Sequence, residues 1–202
     1  MKTGELHLIS TGNQRAEELA DILSQIHPYI DFIHLREKAR SAKDIYQLIQ
    51  LLIDKKVPRS KIVMNDRIDV AMAANINSIQ LASNSLPVEL VKKTFPHVKA
   101  GCSIHSAEEA RLAEKNGADF LFFGHIYPTQ SKPGLSPRGI EHLRIIVESV
   151  DIPVIAIGGI TPDLTPEVVK AGAKGIAVMS GVLEDADPLK TVQSYRTSLT
   201  KE

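Results

Sequence analysis

A single cysteine, Cys102, occurs in 202 residues, so no intramolecular disulfide framework holds this chain together. Such a chain fits a reducing compartment, and the apolar setting of Cys102 suggests a packed thiol rather than a nucleophile. Charge of one sign is also missing. Lys plus Arg and Asp plus Glu both number 24, which leaves no bulk field to recruit nucleic acid or an anionic membrane. Any anion site must therefore be local. No apolar run approaches the roughly 18 residues needed to cross a bilayer, and Met1 to Glu5 lead directly into Leu6–Ile9 without the longer apolar core and cleavage site of a signal peptide. A cytoplasmic location is expected. No low-complexity linker or composition shift divides the chain, so residues 1–202 are expected to form one domain, and 43% hydrophobic content is enough for a sizeable core.

What is present is an alternation. Short apolar runs recur at Leu6–Ile9, Phe32–Leu35, Lys61–Met64, Ser78–Leu81, Val98–Cys102, Phe120–Phe123, Pro153–Ile157 and Gly175–Val178. They lack strict apolar/polar alternation, as parallel strands packed on both faces do. Amphipathic stretches separate them: Leu19, Ile22, Leu23 and Ile26 fall at helical spacing, and Ile45, Leu48, Ile49 and Leu52 repeat the pattern. Ser106-Ala107-Glu108-Glu109 reads as a capping box opening a helix that stops near Asn116-Gly117, and Ala171-Gly172 marks another helix exit. Eight strand-helix units predict an α/β fold, a single (β/α)8 TIM barrel. A doubly wound open sheet is the alternative, but no Gly-x-Gly-x-x-Gly follows the first strand.

Barrel active sites lie at the C-terminal ends of the strands, so those ends hold the candidate residues. After the second strand, Arg36 and Lys38 project together and offer a planar fork and a point charge to one anion, unless they are only a solvated charge run. Asn65 and Asp66 follow the third strand, where ordinary helix capping would also explain them. Ser103 follows the fifth and offers a hydroxyl to an anion, with His105 two residues on. After the sixth come Gly124, His125, Thr129, Ser131 and Lys132, and an imidazole just beyond a buried strand suits proton transfer near neutrality. Gly158-Gly159 after the seventh strand lets backbone N–H groups approach an anion, and Ser180-Gly181 follows the eighth. Phosphate is the expected ligand there. His7, His27, His97 and His142 lack an organising context and are expected at the surface.

Leu35-Arg36-Glu37-Lys38, Asn65-Asp66, Ser103, Gly124 with Pro128-Thr129-Gln130-Ser131-Lys132, Gly158-Gly159-Ile160-Thr161 and Ser180 occur in the order and spacing of the thiamine phosphate synthase superfamily. The chain resembles that superfamily over almost its whole length. The resemblance implies a (β/α)8 barrel and a thiazole phosphate ligand, with Thr129, Ser131, Gly158, Gly159, Met179 and Ser180 around the phosphate. Three departures stand out. Ser85 occupies the position of a magnesium-binding aspartate, His34 replaces a glutamine, and His125 replaces a proline. At all three the chain is similar to the TenI-type thiazole tautomerase branch.

The resulting expectation is a metal-independent isomerase without cofactor, in which His125 moves a proton to convert an exocyclic ylidene thiazole phosphate into the aromatic thiazole. Arg36, Lys38 or Lys132 would meet the substrate carboxylate. One alternative is a thiamine phosphate synthase that joins a pyrimidine pyrophosphate to the thiazole phosphate with Mg²⁺. Another is a non-catalytic thiazole phosphate-binding regulatory protein. A small-molecule partner is expected, with no nucleic acid and no membrane, and a homodimer is compatible with a barrel of this type.

Overall fold

Runs too short for helices and apolar on both faces become the eight strands of a closed barrel. The computed structural model describes residues 4–200. Its strands are β1 (Glu5–Ile9), β2 (Phe32–Leu35), β3 (Ile62–Asn65), β4 (Ser78–Leu81), β5 (Lys99–Ile104), β6 (Phe120–Gly124), β7 (Val154–Ile157) and β8 (Gly175–Val178). All neighbours pair in parallel, and β8 returns to β1 in the register Glu5↔Gly175 to Leu8↔Val178. The expected single (β/α)8 barrel is the fold observed. Strand bounds match the apolar runs at β2, β4 and β8 and differ by one or two residues at the others, most at β5, which extends through Ser103 to Ile104.

The helices are α1 (Ala16–Ile26), α2 (Ala42–Asp54), α3 (Ile68–Ala73), α4 (Val88–Thr94), α5 (Ala107–Lys115), α6 (Gly139–Glu148), α7 (Thr165–Lys170), α8 (Ser180–Leu183) and α9 (Pro188–Ser198). Among the described residues none is long and apolar enough to cross a membrane. Helix α2 buries Ile45, Leu48, Ile49 and Leu52, the four positions its periodicity marks. In α1, Leu19, Leu23 and Ile26 are buried while Ile22 is only partly covered. Helix α5 departs from a capping box. Ser106 Oγ accepts from Glu109 N, but the Glu109 carboxylate accepts from His105 N at 2.7 Å, one residue before the cap. Gly172 ends α7 with φ +95°, a conformation that favours glycine.

Two apolar layers result. The larger lies between barrel and helices, and the smaller fills the barrel itself with Ile9, Phe122, Ile155 and Ala177, against which Phe120, Ile157 and Met179 pack. Gly101 makes room for this filling, since a Cβ there would overlap the Phe120 ring. Helix α9 is tied to the connection between β1 and β2. Arg196 donates to Asp31 Oδ2 at 2.6 Å and to the Tyr29 carbonyl, while the same Asp31 oxygen accepts from Leu6 N.

Burial decides which positions matter for stability. Leu48→Ala should lower the unfolding free energy by about 2–5 kcal/mol, read as a lower urea midpoint at unchanged slope. Ile22→Ala should cost visibly less, because its side chain is only partly covered.

Candidate functional site

Parallel strands deliver every C-terminal loop to one rim, and that rim surrounds a cavity of about 920 Å³. All the candidates from the sequence line it: Arg36, Lys38, Asn65, Ser103, His125, Thr129, Ser131, Lys132, Gly158, Gly159, Met179 and Ser180. Glycines make the β6 and β7 loops fit together. Gly158 and Gly159 have φ +100° and +68°, and a Cβ on them would run into His125 Cβ and the Pro128 carbonyl respectively. The paired glycines therefore serve close packing as well as any approach of backbone N–H groups to a ligand.

Charge at the rim is uneven. Arg36, Lys38 and Lys132 line the cavity, and none forms an ion pair among the described residues. Glu37 points differently from its neighbours: it is buried and tied to Arg40 at 2.7 Å. The result is local positive charge in a neutral protein. Asp66 brings a carboxylate at the end of β3, held with φ +65°. Ser85 does not line the cavity; its hydroxyl accepts from Ala82 N at 2.9 Å and closes its own turn. No group of three or more His, Cys, Asp or Glu placed to hold a metal occurs among the described residues.

His125 is buried, and its Nε2 lies 3.2 Å from the Leu135 carbonyl. Arg138 braces the loop around it, donating to the Gly124 carbonyl at 3.2 Å and the His105 carbonyl at 3.0 Å. His105 also lines the cavity, with burial the main reason its pKa is lowered. Cys102 is a packed thiol: burial pushes it up to about 11.

Sequence reasoning missed the floor. His7, expected at the surface, is buried inside the barrel, with Nδ1 2.9 Å from His34 Nε2. Glu5 Oε2 lies 3.3 Å from His7 Nε2. His34 and Gln80 both line the cavity from below. The signal was the period of two in Glu5-His7-Ile9, which places all three on the inner face of β1.

The sequence matches the model of the thiamine monophosphate synthase family over residues 6–182. The chain belongs to this family. A relative from Pyrococcus furiosus named thiamine-phosphate synthase is 40% identical over 167 residues, covering 81% of this chain and 80% of its own. Another from Pyrococcus horikoshii with the same name is 35% identical, covering 93% and 91%. Among solved structures, thiamine phosphate pyrophosphorylase from Pyrococcus furiosus superposes with a TM-score of 0.82 at 34% identity, covering 98% of this chain and 96% of that one.

These relatives overturn the tautomerase expectation and, with it, the isomerase class. Similar chains spanning most of this one carry the name of the synthase, the alternative reading of the sequence. His125 lines the cavity with its imidazole buried and its Nε2 against the Leu135 carbonyl.

The buried histidines predict a pH dependence of stability. Desolvation holds the pKa of His34 well below 6.5, the adjacent His7 adding to the effect, and it lowers that of His7 against the opposing pull of Glu5 and Asp31. The unfolded chain therefore takes up protons below about pH 6.5 while these folded imidazoles stay neutral, and stability falls with acidification. Urea unfolding from pH 6.5 to 5 should show a slope of up to about 1.4 kcal/mol per pH unit per histidine, partly removed by His34→Gln.

Proposed function

We propose that the protein is a thiamine-phosphate synthase, a transferase that joins a pyrimidine pyrophosphate to a thiazole phosphate. The observation carrying this reading is the 40% identity to the Pyrococcus furiosus synthase across 81% of the chain. The cavity supports it chemically. It is roomy enough for two ring-bearing ligands, and its cationic groups and its glycine turn belong to different strand ends.

In the coupling, the bond between the pyrimidine methylene carbon and the pyrophosphate oxygen breaks, and the electron pair leaves with pyrophosphate. A new bond forms between that carbon and the thiazole nitrogen. Gly158, Gly159, Met179 and Ser180, with Thr129 and Ser131 from the adjoining β6 loop, would seat the thiazole phosphate and fix the direction of its ring. Arg36 and Lys38 would face the pyrophosphate, where negative charge grows as the bond breaks. Asn65, Ser103 and Lys132 would complete the polar wall. Holding both partners together turns an encounter between two solutes into a reaction within one complex.

The family implies magnesium, and the residues fit it only in part. Asp66 is a single carboxylate, and Ser85 is turned into its own loop. Magnesium commonly takes one or two carboxylates and completes its shell with water and substrate phosphate oxygens. Asp66, helped by the neighbouring Asn65 amide, would therefore hold an ion that arrives with the pyrophosphate. Such an ion, when bound, neutralises charge on the leaving group.

Steady-state release of pyrophosphate from the purified protein with both substrates tests the proposal. Asp66→Asn should lower the rate by roughly 10²-fold, the scale of a lost metal-orienting group. Ser85→Asp should leave the magnesium dependence unchanged, because position 85 faces its own turn and not the cavity. No release from the unaltered protein at any magnesium concentration would remove the synthase reading.

A further inference from the structure

Helix α9 sends one polar group to the rim. Tyr195 is buried, yet its side chain reaches the cavity wall, where its hydroxyl donates to the Ile160 carbonyl at 2.9 Å. The same hydroxyl bears on Gly181. A Cβ built on that glycine would stand 3.2 Å from the hydroxyl oxygen, close enough that the neighbour must give way slightly. One side chain therefore touches both the turn after β7 and the segment after β8. Its base is firm, because at the next residue Arg196 donates to Asp31 Oδ2 at 2.6 Å and to the Tyr29 carbonyl at 2.7 Å.

The hydroxyl does not itself serve an anion. A phenol carries one O–H donor, and the Ile160 carbonyl takes it. Burial, with the Asp185 charge adding to it, pushes the Tyr195 pKa up to about 12, so the donated proton stays in place at neutral pH. What the bond fixes is the peptide between Ile160 and Thr161. In a trans peptide the carbonyl and the N–H point in opposite directions. With the Ile160 carbonyl held by Tyr195, the Thr161 N–H is turned away from that side chain. No acceptor among the described residues takes the N–H of Gly159, Ile160, Thr161, Ser180 or Gly181. All five residues line the cavity, and backbone donors without acceptors are the groups that an anion satisfies.

We infer that Tyr195 is a positioning residue for a monophosphate: by holding Ile160 and bearing on Gly181, it sets the spacing and direction of the backbone donors on both sides of the anion. Only the identity of the ligand rests on the synthase reading, under which the monophosphate is that of the thiazole. Arg36 and Lys38 stand on the β2 loop, which has no hydrogen bond to Tyr195 among the described residues, so the pyrophosphate lies outside its influence. A tyrosine that only filled the core would act on all ligands alike.

Calorimetric titration separates these roles without turnover. Inorganic phosphate and the thiazole phosphate are titrated into the unaltered protein and into Tyr195→Phe, with the unphosphorylated thiazole alcohol as the control. The substitution keeps the ring and removes the bond. It should weaken both phosphates roughly tenfold and leave the alcohol unchanged. In coupling assays KM for the thiazole phosphate should rise by the same factor, while kcat and KM for the pyrimidine pyrophosphate hold. Gly181→Ala gives a second reading, because its Cβ crowds the hydroxyl. It should weaken phosphate in the unaltered protein and cost clearly less in the Tyr195→Phe background. Unchanged phosphate affinity in Tyr195→Phe, equal loss of phosphate and alcohol, or additive effects of the two substitutions would overturn the inference. Coupling activity with phosphate affinity indifferent to Tyr195 would sink the positioning role and leave the synthase standing. Loss of phosphate affinity in Tyr195→Phe, when the unaltered protein shows no coupling, would do the reverse.

Discussion

Pairing of β8 with β1 is the constraint on which the rest depends, because it turns a parallel sheet into a ring. Parallel direction sends every C-terminal loop to the same rim, so residues as distant in sequence as Arg36 and Ser180 line one cavity. Closure also creates an interior that side chains must fill. Phe120 and Phe122 fill much of it, and Gly101 gives way to the Phe120 ring. The same closure turns His7 inward from β1, where it is buried, with the partly exposed Glu5 beneath it. His7 meets Glu5 on one side and His34 on the other, so that a packing requirement at the bottom of the barrel becomes a polar feature at the floor of the cavity.

Net neutrality and anion binding are compatible here because charge is partitioned by position. Arg36, Lys38 and Lys132 form no ion pair among the described residues, whereas Glu37 at the rim and Asp31 and Asp119 elsewhere are tied to basic partners. Arg196 is bonded to Asp31 at the opposite end of the barrel. A field built from three side chains and loop amides acts over a short range, which suits small phosphorylated ligands and gives no extended surface for a polyanion.

Much of the fold was legible in the sequence, and the reasons are physical. Ile45, Leu48, Ile49 and Leu52 announce α2 because a helix with one buried face must repeat apolar residues at its own period. The rim was legible too, since strand ends in a barrel share one place whatever the loops do. The floor was not. In strands buried on both faces, an inward polar residue interrupts no visible alternation, so His7 read as a surface residue although its neighbours Glu5 and Ile9 share its face. Ser85 and His125 were recognised as departures, but a departure alone does not specify the reaction. Ser85 closes a turn, and His125 lines the cavity with its Nε2 against the Leu135 carbonyl.

The central claim is that this rim joins two phosphorylated rings, and phosphorus NMR of the reaction mixture tests it most directly. With the pyrimidine pyrophosphate alone, the spectrum should remain that of the ester. Adding the thiazole phosphate and magnesium should convert the ester signals into free pyrophosphate while the monophosphate resonance moves to that of a thiazolium product. Ester signals that persist with both substrates present, or that are lost equally without the thiazole, would contradict the account.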